Sequence, residues 1–349
     1  MFKLEGKDDC AAVPAPTTLS LFTAAVSAVL ALVIVPCNIL VCLVILRSPP
    51  RLKNLRTPFT YFILNLALTD LLVGAATEPI SVVYHVMEAK SVSSPSLIRL
   101  LQVLFFLTCT VSVLSILALT LERFYAISKP FKYRQCVTKS RVFLASGMIW
   151  ILSPGFLMPY FVMGYRTFSF VFANVVILVT LCTLIYAYFK IIKTIQRRKN
   201  IRQDSLQGLF IANQQVTLFE EKLTRTFTTI LILFAICYVI PFLLIYAMNL
   251  CTKCSCDTIH WLRDSTFLAV TCNSAINPFM YAWRLPSFRH ALRTMMPECK
   301  CNVTLPRDTT QGVIYSLKKA SNSTIVFEIA EIEEGNYRKT KPSLSTSPL

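Results

Sequence analysis

The chain has 349 residues, of which 54% are hydrophobic and only 15% are charged. Soluble domains carry about a quarter charged residues, so this composition predicts a membrane protein. The net charge of +17 does not indicate a nucleic-acid-binding protein, because the basic residues cluster in the gaps between long apolar runs. We therefore expect the chain to contact a lipid bilayer and no nucleic acid.

Seven apolar segments are long enough to cross a bilayer as helices. Backbone polar groups in lipid must be hydrogen-bonded within their own segment, which excludes open strands. The chain is therefore predicted to be an all-α membrane protein with a seven-transmembrane helix bundle at 18–283. We call the segments spans one to seven, and their predicted bounds are 18–46, 57–86, 96–126, 141–164, 167–192, 223–250 and 262–283.

Basic residues are concentrated in alternate gaps between the spans. The gaps that follow spans one, three, five and seven carry most of them, and the opposite gaps hold only Lys90, Arg99, Arg166, Lys253 and Arg263. Basic loops of membrane proteins stay in the cytoplasm. Residues 1–17 are therefore predicted to be an extracellular N-terminus, and the C-terminus is predicted to be cytoplasmic.

Several polar side chains fall inside the spans, where each needs a partner away from lipid. A buried aspartate surrounded by hydroxyl and amide groups can bind a sodium ion or a proton, and can thereby bias two packings of the bundle. The alternative is a set of interhelical hydrogen bonds without an ion. The residues predicted for the sodium site are Asp70, Ser112, Asn273 and Ser274.

The inner end of span three carries an acid–base pair. An uncharged run from Leu100 to Leu121 is followed directly by Glu122 and Arg123. A cation at this position either extends toward the lipid headgroups or belongs to a switch inside the bundle.

Short motifs stand in order on six different spans. They are Asn38, the Leu-Ala-x-x-Asp set that ends at Asp70, Glu122-Arg123-Phe124, Trp150, Pro241 and Asn277-Pro278-x-x-Tyr281. With these motifs the chain resembles a rhodopsin-like (class A) G protein-coupled receptor over roughly residues 18–301. The resemblance implies a plasma-membrane receptor, and not an enzyme, that converts binding of an extracellular ligand into activation of a heterotrimeric G protein.

The resemblance also implies a switch at the inner face. In the resting state Arg123 would pair with Glu122 and with Glu221 at the start of span six. Agonist would move span six outward and bring Tyr186 and Tyr281 together. The motif residues Asn277 and Pro278 belong to the same switch.

The same resemblance assigns the inner partners. The G-protein contact would be made by Arg123, Pro130 and Phe131. Hydroxyl groups of the tail, once phosphorylated, would recruit arrestin; they are Ser316, Ser321, Ser323, Thr324, Ser343, Ser345, Thr346 and Ser347.

The chain departs from the usual family pattern at three places. No cysteine stands at the outer end of span three or in the second outer loop, span five has no proline, and Val239 replaces the usual tryptophan of span six. In these departures the chain resembles the melanocortin, cannabinoid and lysolipid receptor branch. By analogy with that branch, Cys251 would pair with Cys254 and Cys10 with Cys256, although four cysteines allow three pairings and some thiols could be free.

The outer halves of the spans offer an aromatic, weakly polar set of side chains. Phe105 occupies the place where amine receptors carry a carboxylate, and span three lacks the acids that grip a melanocortin peptide. Such a cavity favours a lipid or a small neutral ligand, and the alternative is ordinary packing. The predicted pocket is Glu78, Tyr84, Phe105, Phe106, Phe161, Phe242, Tyr246 and Asn249, with His85 near it and His260 and Trp261 as a cap.

Residues 284–301 are predicted to contain a short amphipathic eighth helix on the inner leaflet. Cys299 and Cys301 follow it and are placed for palmitoylation, or are unmodified. Residues 302–349 are rich in Ser, Thr, Lys and Glu and are predicted to be a disordered cytoplasmic tail.

Two other functions remain open at this point. A transporter or channel needs a polar path across the bilayer, whereas the charges here concentrate at Asp70 and at the inner face. A receptor-like protein that signals without a ligand, or that only pairs with other receptors, stays open because of the altered span six. The spans show no metal-ligand cluster and no nucleophile–base set, so no cofactor is expected other than a modulatory sodium ion.

Overall fold

The computed structural model describes residue 10, residues 13–47, 57–92, 94–178 and 236–295, shorter stretches between 181 and 196, and the strand residues 314–319 and 325–330. Span one is a single helix, Thr17–Arg47. Span two begins at Pro58 as the helix Pro58–Leu72, whose first turn is capped by the Thr57 hydroxyl. It continues through a π-helical turn, Val73–Thr77, into the helix Glu78–Ala89.

The π-helical turn is the place where spans one and two approach each other most closely. A Cβ atom on Gly74 would lie 2.8 Å from Cγ2 of Ile34 on span one. Ile34 is fully buried, so it has no free space into which it could move. A glycine is therefore required at this contact.

Span three is the helix Pro95–Ser128, and a short helix, Pro130–Cys136, follows it directly. Span four is the helix Lys139–Phe156. The next helix, Tyr160–Phe172, is interrupted at Gly164, where φ is +72°, and it continues into a π-helical segment, Ala173–Leu178. Span five therefore begins just after Gly164, and the loop that separates it from span four is as short as predicted.

The remaining described helices are Ile236–Leu250 in span six, Cys256–Arg284 for span seven and Pro286–Met295 after it. Within the described residues, three continuous helices are long and apolar enough to cross a membrane, and spans four and five add a fourth if the bent pair counts as one. Residues 201–235, which include the first part of span six, lie outside the described residues.

Apolar side chains divide between an inner core and an outer surface. Phe59, Ile63 and Ile116 are fully buried between the spans, whereas Leu32 and Ile151 are more than 70% exposed. In a membrane-spanning bundle the exposed apolar side chains face lipid. In the helix Pro286–Met295, Phe288 and Ala291 are buried, whereas His290 and Arg293 are exposed.

The tail forms a second unit, Glu298–Leu349, with a two-stranded antiparallel sheet. Strand β1 (Ile314–Lys319) pairs with β2 (Ile325–Ala330), and Ile314 lies opposite Ala330. The sequence analysis expected disorder here because the whole tail is polar. The two strands differ locally from that composition, since they contain several β-branched and aromatic residues, which favour paired strands.

Candidate functional site

The inner end of span three carries a buried ion pair. The Arg123 guanidinium, 2% exposed, donates two hydrogen bonds to the carboxylate of its neighbour Glu122. Tyr133, on the short helix after span three, donates its hydroxyl proton to Glu122 and accepts from Arg123 Nη2 at 3.2 Å. The Arg123 guanidinium also lies 4.7 Å from the centre of the Phe59 ring on span two. The Glu122–Arg123 pair is thus contacted by the short helix after span three and by span two.

Phe59 and Tyr133 were not singled out in the sequence. Their contribution depends on a contact between spans two and three and on the short helix Pro130–Cys136. A Tyr ten residues after an Arg carries no pattern that predicts this contact, although its position in the second inner loop could have drawn attention to it.

Other residues predicted for the switch lie nearby or outside the described residues. Tyr281 is buried, whereas Tyr186 is 64% exposed and its ring lies 5.9 Å from the Lys190 ammonium. Pro130 begins the short helix after span three, and the side chains of Pro130 and Phe131 are outside the described residues, as is Glu221.

The middle of the bundle contains a polar network that joins spans one, two and seven. The Asp70 carboxylate is buried and accepts a hydrogen bond of 2.9 Å from Asn277 Nδ2. Asn38 Nδ2 donates to the backbone carbonyl of Ser274 at 3.2 Å. Three of the residues predicted for the sodium site, Ser112, Asn273 and Ser274, line one cavity of about 270 Å³, and Asp70 is joined to span seven beside it through Asn277.

A second network joins spans two, three and four. Trp150 Nε1 donates to Asn65 Oδ1 at 3.0 Å, and Asn65 Nδ2 donates to Ser115 Oγ at 2.8 Å. Trp150 was identified as a family motif, and its structural role is to bond Asn65. Ser115 was missed, because a serine in an apolar helix carries no signal of its own.

Val239 stands where the family usually has a tryptophan on span six, and its side chain does not face the bundle. Val239 is 42% exposed, whereas the preceding Tyr238 is 2% exposed. The Tyr238 hydroxyl lies 4.0 Å from Cys109 Sγ on span three, and Tyr238 lines the same cavity as Ser112. An aromatic ring therefore does occupy the core at this level, one residue earlier than the family pattern led us to expect.

The outer end of the bundle contains a cavity of about 350 Å³. Its lining residues come from spans two, three, five and seven and are Tyr84, His85, Ile98, Leu101, Gln102, Phe105, Tyr165, Arg263, Asp264 and Phe267. Tyr84, His85 and Phe105 were among the residues predicted here.

The other predicted pocket residues do not line this cavity. Phe106 packs in the core against Phe168 and Phe172, and Phe161 is 64% exposed ahead of the break at Gly164. Phe242 stacks on Tyr246, whose hydroxyl bonds Asn174, and Asn249 Nδ2 bonds the Ile245 carbonyl. Glu78 is fully buried beside Ser27 and Thr271.

One wall of the cavity is more polar than the sequence indicated. Arg263 Nε donates to Asp264 Oδ1 at 2.7 Å, and Arg263 Nη2 donates to Glu88 Oε1 at 3.3 Å. Tyr84 donates its hydroxyl proton to the same Glu88 oxygen at 2.9 Å. The prediction of a weakly polar cavity was therefore wrong for this wall. Arg263 and Glu88 are 175 residues apart in the chain, so no local pattern could reveal the pair.

Both disulfides expected by analogy are present. Cys10 is bonded to Cys256, and Cys251 is bonded to Cys254. The first bond ties the N-terminal segment to the start of span seven. Next to it, His260 Nε2 lies 3.0 Å from the Val13 carbonyl. The carbonyl oxygen can only accept, so the imidazole donates this bond from Nε2.

Trp261, predicted as a second cap residue, is 45% exposed and its ring lies 6.4 Å from that of Phe22 on span one. It therefore packs outside the cavity. Cys299 and Cys301, predicted for palmitoylation, lie outside the described residues.

Comparison with known proteins identifies the architecture. The profile described as a seven-transmembrane receptor of the rhodopsin family matches residues 37–170 and 163–281. The histamine H2 receptor of Cavia porcellus is 26% identical over 290 residues, which cover 75% of this chain and 76% of that receptor. Melanocortin receptor 5 of Sus scrofa is 28% identical over 260 residues, which cover 71% of this chain and 83% of that receptor.

Another match is shorter. The muscarinic acetylcholine receptor gar-2 of Caenorhabditis elegans is 32% identical over 117 residues, which are 34% of this chain and only 18% of that receptor. The profile covers most of the seven spans, and it describes receptors rather than enzymes. The chain belongs to the rhodopsin family of seven-transmembrane receptors, and is therefore a multi-pass plasma-membrane receptor that couples an extracellular ligand to a G protein.

Proposed function

We propose that a ligand in the outer cavity moves span six, and that this movement opens the buried cluster of Glu122, Arg123 and Tyr133 to the G protein. The observation that carries the proposal is the burial of Arg123, which is 2% exposed although it lies at the inner end of its span. A buried guanidinium is available to a partner only after a conformational change. Phe105 and Arg123 are eighteen residues apart on span three, or about 27 Å along a helix, so the signal must cross the bundle.

The proposed route runs through span three. Phe105 lines both the outer cavity and the inner cavity that contains Ser112 and Tyr238. A ligand that displaces the Phe105 ring changes the space available to Tyr238 on span six. Span six thereby receives the movement directly from the ligand site, although Val239 has replaced the usual tryptophan.

The ligand that fits the outer cavity has an apolar body and an uncharged or weakly basic polar group. Phe105, Phe267 and Tyr165 supply the apolar side, and Gln102 supplies an amide. Two carboxylates, Glu88 and Asp264, face one guanidinium on the polar wall, which disfavours an anion. A lipid or a small neutral molecule meets these requirements better than a peptide. The relatives, named for acetylcholine, histamine and a melanocortin, do not narrow the class further.

Three further features belong to the same proposal. The N-terminus is extracellular, because the disulfide that joins its Cys10 to Cys256 needs an oxidising compartment. A sodium ion near Asp70 stabilises the resting state through the cavity that Ser112, Asn273 and Ser274 line. Arrestin binds the phosphorylated tail, and lipid is attached at Cys299 and Cys301.

Replacement of Arg123 by alanine tests the proposal. We expect the variant to reach the cell surface and to lose activation of every G protein family that the unchanged chain activates. The measurement is G-protein activation in cells, normalised to surface expression with an N-terminal tag on unpermeabilised cells. Full activation by the variant at equal surface expression would contradict the proposal, and a tag that is accessible only after permeabilisation would contradict the orientation.

A matched pair of phenylalanine variants tests the ligand site. Phe105→Ala should abolish the response to an agonist found by screening lipids, neutral small molecules, amines and peptides. Phe161→Ala should leave it unchanged, because this ring is exposed and outside the cavity lining. An equal response from both variants would place the ligand elsewhere. High signalling without any ligand, unaffected by Phe105→Ala, would favour the ligand-less receptor instead.

A further inference from the structure

The outer wall of the cavity brings three metal-binding side chains together. His85 and Glu88 stand on the last turns of span two, and Asp264 stands at the start of span seven. One ligand atom from each of the three lies within 4.8 Å of the other two. His85 Nδ1 is 3.0 Å from Glu88 Oε2 and 3.9 Å from Asp264 Oδ2. The sequence analysis found no metal-ligand cluster, because it examined each span alone and this set needs two.

From this geometry we propose that His85, Glu88 and Asp264 bind a zinc ion at the outer mouth of the receptor. Zinc binds imidazole nitrogen and carboxylate oxygen at about 2.0–2.2 Å, which separates the donors of a tetrahedral site by about 3.3 Å. The two distances from His85 Nδ1 lie on either side of that value, so small side-chain rotations complete the set. The fourth position faces the cavity, where water or a ligand group can occupy it.

In each of the two carboxylates, Glu88 and Asp264, the oxygen that does not face His85 is already held by hydrogen bonds. Arg263 bonds Asp264 Oδ1 and Glu88 Oε1, and Tyr84 bonds the same Glu88 atom. The oxygens that face His85, namely Glu88 Oε2 and Asp264 Oδ2, are the opposite ones. Groups that fix the second oxygen of a carboxylate orient it for a metal. Arg263 therefore does not occupy the space in which the ion would lie.

The charge and the donor types favour zinc over other divalent ions. Two carboxylates and one guanidinium leave one net negative charge beside the imidazole of His85. Calcium takes six to eight oxygen ligands and magnesium prefers an octahedral oxygen shell, and neither is provided here. An imidazole with two carboxylates and an open position suits zinc. Binding requires the imidazole to carry its proton on Nε2, so that the Nδ1 lone pair is available.

The hydroxyl groups of span one extend the site to a third helix. Ser20 Oγ donates to Glu88 Oε2 at 2.8 Å, and Thr23 Oγ1 donates to Asp264 Oδ2 at 3.3 Å. An ion on these two oxygens ties the outer ends of spans two and seven and changes the cavity wall formed by His85 and Asp264. Zinc would thus either change the affinity of the cavity for its ligand or form part of the ligand-binding site.

A thermal-unfolding experiment tests zinc binding without any signalling readout. The purified full-length receptor in detergent is first treated with chelator and then titrated with ZnCl2, and with CaCl2 and MgCl2 for comparison. We expect Tm to rise with zinc concentration, because a ligand that binds only the folded state stabilises it. Calcium and magnesium should give no rise. An unchanged Tm with zinc would overturn the proposal.

Matched variants assign the binding to this cluster. His85→Gln should lose the zinc-dependent rise, and His85→Cys should restore it, because a thiolate also binds zinc. Tyr84→Phe, which removes a group that positions Glu88, should weaken the apparent affinity about tenfold. The control His260→Gln removes the imidazole that bonds Val13 and should leave the zinc response unchanged. A zinc response that survives in His85→Gln, or that is lost in His260→Gln, would overturn the assignment.

Discussion

The two ends of the bundle hold their cations in different ways. At the inner end, Arg123 pairs with Glu122, its neighbour on the same helix, and the other contacts come from Phe59 and Tyr133. At the outer end, Arg263 joins carboxylates of two spans, and span one contributes two hydroxyl donors. Separating the spans at the inner face leaves the Glu122–Arg123 pair intact, whereas separating spans two and seven at the outer face breaks the Arg263–Glu88 pair.

This difference suits a receptor that moves at one end. The inner cluster can exchange partners at low cost, because both members of its Glu122–Arg123 ion pair stand on one helix. The outer cluster fixes spans one, two and seven against one another, so that a ligand acts on a rigid wall. Coupling between the ends then has to pass through spans three and six.

The largest expected effect is the loss of stability when the outer cation is removed. Arg263→Met leaves two carboxylates, the partly buried Glu88 and the buried Asp264, without their shared cation, which should cost about 3 kcal/mol. Arg123→Met should cost less, because it removes the cation from one carboxylate, Glu122, rather than from two. The measurement is Tm of the purified receptor, and Lys253→Met, in an exposed loop, serves as the control. A larger drop for Arg123→Met would reverse the comparison.

An intermediate effect is expected at the inner cluster. Tyr133→Phe removes one hydroxyl group that donates to Glu122 and accepts from Arg123, which is worth about 1 kcal/mol. If these bonds favour the closed state, basal signalling at equal surface expression should rise about fivefold. Tyr125→Phe is the control, since the Tyr125 ring lies 6.4 Å from that of Tyr133 and its hydroxyl interacts with Cys136. Unchanged or lower basal signalling in Tyr133→Phe would show that Tyr133 does not hold the closed state.

The smallest effect should come from one hydroxyl group of span one. Ser20→Ala removes the hydrogen bond to Glu88 and should lower the free energy of unfolding by about 1 kcal/mol. Thr18→Ala, on the exposed side of the same helix, should cost less. Equal values of Tm for the two variants would mean that span one is not part of the outer cluster.

The sequence predicted the elements of the fold better than the contacts between them. Asp70, Arg123 and Pro278 could be identified because each belongs to a short motif on an apolar helix, where any polar residue or proline is conspicuous. Span boundaries followed from apolar length, and the structure agrees with them within a few residues for spans one to three. Span four was predicted to end at 164, but its helix ends at Phe156, because the apolar run continues through the turn that leads into span five.

The contacts could not be predicted because they join distant residues. Arg263 and Glu88 each look like a border charge when read along the chain, and only the packing of span seven against span two turns them into a pair. Tyr133 likewise shows no sign along the chain of its hydrogen bonds to Glu122 and Arg123. For the ligand cavity, the sequence predicted the contributions of spans two and three, but not those of spans five and seven or the rotation of each helix. Phe106 and Phe161 were therefore assigned to a cavity that they do not line.

The bond between Cys10 and Cys256 spans 246 residues and encloses six spans and the start of the seventh in one covalent ring. A protease that cuts a single loop inside this ring opens the circle without releasing either piece. Such a nicked receptor would migrate as one band on a non-reducing gel and separate into two fragments only after addition of a thiol.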